Sequence, residues 1–267
     1  MSESIRGTLI IIGGAEDKRA DKTILKRIID ISGDENARIA LVTTATKSPE
    51  EVGLEYKRVF GELGAENVTN IIILDRDTAN DTGVLQAIED ASCIFFVGGD
   101  QLRISSILGG TEAHKLIHKA YGEGKVIAGT SAGASMMSEI MVVEGKDEEA
   151  PRKCTLKMAP GMGLLEGVII DQHFNQRGRI GRLLAAVAQN PKVLGIGIDE
   201  NTAMIVNRDL EFSVDGSGVV TVVDGRDIKY SNASEQYPDE PLAITNVKVH
   251  IFPKGYDILR CLGYSCL

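Results

Sequence analysis

Alternating apolar runs and helical repeats over about the first two hundred residues predict an α/β fold: a doubly wound, mostly parallel sheet with helices on both faces and antiparallel edge strands added toward the C-terminus. Three observations carry this. Runs such as Thr8 to Ile12 and Leu194 to Ile198 have the unbroken or glycine-spaced apolar character of strands buried on both faces. Between such runs apolar residues recur at i, i+3 and i+4, the period of an amphipathic helix. From Ala203 the period changes to simple alternation, punctuated by Asp215-Gly216 and Asp224-Gly225 turns. With 267 residues and 43% hydrophobic content the chain can bury a sizeable core. The expectation is one domain over 1–267, of which 203–267 is a β-rich extension.

Taken in order, the strand Thr8 to Ile12 runs into Gly13-Gly14-Ala15-Glu16-Asp17-Lys18, and a helix follows in which Ile24, Leu25, Ile28 and Ile29 form the apolar stripe. Gly33 stops that helix with a left-handed residue. Arg38 to Thr44 is the next strand. Ser48, Pro49 and Glu51 mark the start of a second helix, with Tyr56, Val59, Phe60 and Leu63 as its buried face and Gly64 at its end. A strand over Asn70 to Leu74, a helix over Thr82 to Asp90 and a strand over Ser92 to Val97 follow. Two helical pieces, Gln101 to Leu108 and Thr111 to Tyr121, are separated by Gly109-Gly110 and return the chain to the strand before Ser131. Beyond the charged loop Glu144 to Pro151, the reading is strand at Leu164 to Ile170, helix at Arg179 to Gln189 ended by Asn190-Pro191, and strand at Leu194 to Ile198.

A net charge of -9 argues against nucleic acid or an anionic membrane as partner. Cys93, Cys154, Cys261 and Cys266 contain no CxxC pair, so reduced thiols are expected rather than a zinc ribbon or disulfide framework. The start, MSESIRGTLIII, has no basic segment followed by a long apolar one, and no run reaches membrane-spanning length. A cytoplasmic protein is expected. His114 and His118 share a helix face as metal ligands can, but no third ligand accompanies them. Gly13-Gly14 lacks both the Walker lysine and G-x-G-x-x-G spacing, and reads as a tight turn. No metal or cofactor is expected.

The chemistry-bearing stretch is Gly129-Thr130-Ser131-Ala132-Gly133, at the break between an apolar strand and a following helix. A serine at such an apex has its hydroxyl lifted clear of the strand end, and the amide of Ala132 faces outward from a helix N-terminus. The pentapeptide also serves as a plain βα turn with a capping serine. Partners elsewhere decide between these. In an open parallel sheet the carboxyl ends of the strands hold the ligand. Those ends carry Gly98-Gly99-Asp100-Gln101, the Ser131 turn, Asp171-Gln172-His173 and Asp199-Glu200. A weak hydroxyl nucleophile needs a base, and the imidazolium it produces needs a carboxylate. His173 fits the base, and Asp199 and Glu200 compete for the carboxylate. Amides at Gly99 and Ala132 would meet an oxyanion. A rival order, Ser131, Asp199 and His250, would follow the α/β-hydrolases. His250, however, sits in the alternating stretch Val247 to Phe252, and no HGGG-type segment is present.

At these residues the chain resembles the cyanophycinases, serine peptidases related to aspartyl dipeptidase and, in fold, to class I glutamine amidotransferases. The carrying motifs are GGAEDK at 13–18, FVGGDQ at 96–101, GTSAGAS at 129–135, DQHFNQRGRIGRL at 171–183 and GIDENTA at 197–203. The resemblance implies Ser131 as nucleophile, His173 as base and Glu200 as third member, and it implies a homodimer. The implied substrate is cyanophycin, a polyaspartate bearing arginine on its β-carboxyls, cut at the backbone to give β-aspartyl-arginine. Such a substrate presents carboxylates and guanidinium groups. Arg177, Arg179 and Arg182 would meet the first, while Asp171 with the amides of Gln101 and Gln172 would meet the second and orient the chain. His173 is expected to have its pKa raised by its carboxylate partner. Two alternatives stay open: an aspartyl dipeptidase using the same serine and histidine, and a non-catalytic binding domain on the same fold.

Overall fold

In the computed structural model, which describes residues 6–153, 156–235, 237 and 239–258, the chain begins with β1 (Thr8–Ile12), α1 (Thr23–Ser32), β2 (Arg38–Val42), α2 (Pro49–Glu62) and β3 (Asn67–Ile71). Next come α3 (Thr82–Asp90), β4 (Cys93–Phe96), α4 (Gln101–Leu108), α5 (Glu112–Gly122), β5 (Val126–Thr130) and the one-turn α6 (Ala132–Ser135). A hairpin of β6 (Ile140–Glu144) and β7 (Lys157–Pro160) precedes β8 (Val168–Gln172), α7 (Ile180–Gln189) and β9 (Leu194–Ile198). Strands complete the described chain: β10 (Thr202–Val206), β11 (Phe212–Gly216), β12 (Val219–Asp224), β13 (Tyr230–Ser231), β14 (Ile244–Thr245) and β15 (Lys248–Pro253). Cys154, Cys261 and Cys266 lie outside the described residues.

The central sheet has the order β11-β10-β1-β5-β4-β2-β3. Its strands β1 to β5 run parallel, β10 is added antiparallel beside β1, and β11 pairs antiparallel with β10 at the edge. The period of two sorts β1 between two cores. Ile10 and Ile12 pack with Ile28 of α1 and Phe60 of α2. Leu9 and Ile11 pack on the opposite face with Ile88, Ile104 and Ile117 from α3, α4 and α5. Every β1 residue is buried, and each full-length aliphatic side chain so placed contributes about 1.5–3 kcal/mol.

The sequence reading placed all the later strands on one sheet; the structure divides them. Strands β8 and β9 pair in parallel with each other, and β12 and β15 continue from β9 as a second sheet in the order β15-β12-β9-β8. The glycines of β9 show why. Gly195 leaves room for Leu183 and Val187 of α7 and Gly197 for Phe174 of the loop before it, whereas Ile196 and Ile198 enter the same core as Leu9 and Ile11. Both faces of β9 are therefore covered, and a strand covered on both faces looks the same in sequence whichever sheet it joins.

Local signals also differ in detail. Ser48 makes no side-chain capping bond although Pro49 occupies the first turn of α2. Asp81, Asp100 and Thr111 are the side chains that cap α3, α4 and α5. Strand β3 starts at Asn67 rather than Asn70. Among the described residues no helix is long and apolar enough to cross a membrane.

Candidate active site

Three consecutive carbonyls at the end of β1 assemble the site. Ile12 O accepts from the Ser131 amide at 3.0 Å, Gly13 O from His173 at 2.7 Å, and Gly14 O from Asn201 at 2.8 Å. The serine turn, the histidine loop and the carboxylate loop thus hang from one short backbone segment. The Gly13-Gly14 turn, which the sequence marked only as tight, is this hub. Four non-glycine residues here have positive φ: Ala15 at 46°, Ser131 at 54°, His173 at 49° and Asn201 at 48°. Such angles cost free energy and persist only where the surroundings over-determine them, as at functional sites.

Ser131 has ψ -110° and directly precedes α6, so the Ala132 amide is a first-turn amide without an intrahelical acceptor. Its Oγ lies 3.0 Å from His173 Nε2 and 3.3 Å from Gln172 Oε1. On the other side of the ring, His173 Nδ1 donates to Glu200 Oε1 at 2.6 Å. That bond fixes the tautomer with Nε2 unprotonated and turned to the serine hydroxyl. Asp199 points elsewhere. It is buried and accepts from the Asn175 amide and side chain and from the Val219 amide, which ties the histidine loop to β12. His250 lies on β15 opposite Val222, with its ring stacked near Phe252.

Burial is the largest influence on His173 and moves its pKa below the ordinary value; Glu200 acts in the opposite direction, and the Arg177 and Arg179 charges add to the lowering. The expected rise is therefore corrected: desolvation of a nine-tenths buried imidazole outweighs its carboxylate partner. Neutral imidazole is the form able to accept a proton.

The expected substrate cations separate. Arg177 is exposed and makes no ion pair among the described residues. Arg179 and Arg182 are buried and already paired. Arg182 Nε donates to Asp171 Oδ2 at 2.6 Å and its Nη2 to Asp171 Oδ1, while Arg179 Nε donates to Asp147 at 2.8 Å and its Nη1 to the Gln172 carbonyl at 2.6 Å. Asp171 is 1% exposed. Arg179, Arg182 and Asp171 are thus corrected from direct ligand contacts to an internal ion network that secures the strand end before His173. Gln101 is corrected too, since its side chain donates to the Val142 carbonyl at 2.8 Å and holds β6. Gln172 stays at the serine.

Gly98 packs against Ser131: a Cβ there would lie 3.3 Å from the serine Cβ. Gly99 has φ 144°, and a Cβ there would overlap the Ala45 carbonyl oxygen, leaving no room for a side chain. A cavity of about 550 Å³ opens beside Ser131 and His173, walled by the Ala15 to Arg19 loop, Glu55 and Tyr56. Sequence reasoning missed this wall, although the loop follows the strand on which the site is built. Glu16 braces it, accepting from Tyr56 Oη and from Thr130 Oγ1 at 2.6 Å. Asp17 accepts from the Arg19, Ala20 and Lys22 amides, which hold its carboxyl down to about 2. The His114 and His118 rings are engaged by backbone groups: Gly110 donates its amide to His114 Nδ1, and His118 Nε2 lies 2.7 Å from the Met162 carbonyl.

The sequence profile of peptidase family S51 matches residues 9–212. A cyanophycinase of Geminocystis herdmanii (strain PCC 6308) is 38% identical over 256 residues, covering 96% of this chain and 94% of the relative. A cyanophycinase of Trichormus variabilis (strain ATCC 29413 / PCC 7937) is 38% identical over 254 residues, covering 95% and 85%. Among solved structures, a peptidase from an acI-B1 Actinobacterium superposes with a TM-score of 0.66 at 21% identity, over 96% of this chain and 97% of that one, which shows a shared fold.

Proposed function

The chain belongs to peptidase family S51 and is a serine-type peptidase; on that premise we propose that it hydrolyses cyanophycin at the polyaspartate backbone and releases β-aspartyl-arginine, with Ser131 as nucleophile, His173 as base and Glu200 as the carboxylate behind the base. The observation that carries the reading is the unbroken relay from Ser131 Oγ to His173 Nε2 at 3.0 Å and from His173 Nδ1 to Glu200 at 2.6 Å. The two cyanophycinase relatives named above support the substrate. Ser131 Oγ attacks the backbone carbonyl as its proton passes to Nε2, and the amides of Ala132 and Gly99 receive the oxyanion. Collapse expels the amine, which takes the proton from His173, and water then releases the acyl group from Ser131 by the reverse relay. Glu200 stabilises the imidazolium in both halves. Gln172, beside the hydroxyl, and Arg177, exposed after the histidine loop, are the groups we assign to substrate, with Arg177 facing a substrate carboxylate.

The same proposal takes residues 1–267 as one domain, since β10 pairs with β1 and β12 with β9. It takes the protein as a cytoplasmic homodimer, supported by the acidic net charge, the resemblance and the buried free thiol of Cys93. Light scattering measures the subunit number. The deciding experiment is incubation of purified cyanophycin with wild-type protein and with Ser131→Ala. Wild type should yield β-aspartyl-arginine, while the variant, folded by circular dichroism, should lose several orders of magnitude, on the order of 10³ or more. Turnover by folded Ser131→Ala near the wild-type rate would remove the serine from the mechanism.

A further inference from the structure

A second cavity lies on the opposite rim of the molecule. Ser131 follows the last residue of β5, whereas this cavity is bounded by Leu194, the first residue of β9, by Tyr121 and Gly122 at the end of the helix feeding β5, and by Arg6 just before β1. The length of a five-residue strand, roughly 15 Å, therefore separates the two openings. Its volume is about 770 Å³, within the range of small-molecule sites.

The lining is divided by chemistry. Leu164, Leu165, Leu210 and Phe212 make an apolar floor. Arg6, Lys192, Arg226 and His118 bring positive or protonatable groups, against one acid, Glu166. Arg226 is bridged to Asp224, and His118 is bonded to the Met162 carbonyl, so these two contribute field more than free donors. Arg6 and Lys192 make no ion pair among the described residues. Tyr121 lines the same cavity; it is 7% exposed, and its buried Oη has no hydrogen-bond partner among the described residues. A buried hydroxyl left unpaired costs about 1–3 kcal/mol, and a folded protein rarely retains one without a reason. Burial raises the Tyr121 pKa, so the oxygen keeps its proton at neutral pH and has that proton to donate.

We propose that this cavity is a second binding site, distinct from the serine site, for a small monocarboxylate with an apolar body: the carboxylate accepts from Tyr121 Oη between Arg6 and Lys192, and the body lies on Leu164, Leu210 and Phe212. An unpaired donor beside two unpaired cations selects an anion, and the apolar floor selects against a bare inorganic one. The relation to the peptidase reaction is that of a separate site, so occupancy does not require Ser131.

Titration calorimetry with octanoate tests this, with n-octanol and inorganic phosphate as comparison probes and with the protein covalently blocked at Ser131 as well as free. Octanoate should bind once per chain in both forms, and more tightly than either comparison probe. Tyr121→Phe, which keeps the ring packing, should weaken octanoate about ten-fold, the worth of a hydrogen bond to a charged group. Lys192→Gln should weaken it by about three-fold and reduce its salt dependence. Melting curves of both variants report their folding, and cyanophycin turnover should be unchanged. Absence of octanoate binding to wild type, equal binding of octanol or phosphate, loss of the site on blocking Ser131, or unchanged affinity in both variants would each overturn the assignment.

Discussion

Replacing Gly14 by alanine should cripple the site while every one of its reactive groups keeps its identity. The added Cβ would overlap Cε1 and Nε2 of the His173 ring, and even the more distant Nδ1 would be only 3.0 Å away. Ordinary contacts between such atoms are about 3.5–4.0 Å, so the ring or the loop must shift by about 1 Å. Neither shift is free, because Gly13 O and Gly14 O hold the His173 and Asn201 amides. A misplacement of about 1 Å between nucleophile and base lowers turnover about 10²-fold. The new side chain would also sit at φ 101°, at a cost of about 1–3 kcal/mol in stability. Gly33→Ala separates the two effects. Gly33 has φ 115°, but the nearest atom to its added Cβ is 3.9 Å away and no site residue is near. Steady-state turnover on cyanophycin, the rate of labelling by a serine-directed reagent and the melting temperature should be measured on both variants. Both should melt several degrees lower, and only Gly14→Ala should lose turnover and labelling rate. A folded Gly14→Ala protein within about 3-fold of wild type would refute the reasoning that this turn positions the base.

The acid limb of kcat/KM should lie below the ordinary histidine pKa of about 6.5, because burial favours the neutral His173 imidazole and protonation, which removes the base, then requires a lower pH. A limb centred above that value in a pH–rate profile would contradict the sign. Glu200→Gln should lower kcat strongly with little change in KM, since its charge matters most once His173 is imidazolium; Asp199→Asn should instead lower the melting temperature through its lost bonds to Asn175 and Val219. The reverse pattern in paired kinetics and melting curves would reassign the carboxylate. Asp171→Asn should destabilise the fold by about 3–5 kcal/mol by stranding the Arg179 and Arg182 charges, as calorimetry would show; a loss under about 1 kcal/mol would mean that the network is solvated.

The elements that sequence disclosed most completely are those set by local period and punctuation. Strand β1, helix α1 with its Gly33 stop, and the strand–turn–helix at Ser131 follow directly from apolar spacing and glycine placement. Parity also leaned the right way at β9, where Ile196 and Ile198 share a face with Glu200 while Gly195 lies under α7 and Gly197 under Phe174. What stayed hidden depends on pairings between distant segments. That residues 168–172 and 194–198 leave the main sheet is decided by what covers each face, and a doubly buried strand carries no mark of its sheet.

The arginines show the same limit in electrostatic form. Residues 177, 179 and 182 advertise three cations after the histidine, yet whether each is available depends on where acids from other segments fall. Asp171 arrives from the end of β8 and Asp147 from the loop beyond β6, and together they neutralise Arg179 and Arg182 inside the protein. Burying those guanidinium groups unpaired would cost several kcal/mol per ion, so their acids are a condition of the fold. Arg177, outside that network, stays exposed while its positive charge still reaches His173 and favours the neutral ring. In the proposed mechanism Arg177 is the arginine of the three left to meet a substrate carboxylate, while the other two hold the strand end from which His173 reaches Ser131.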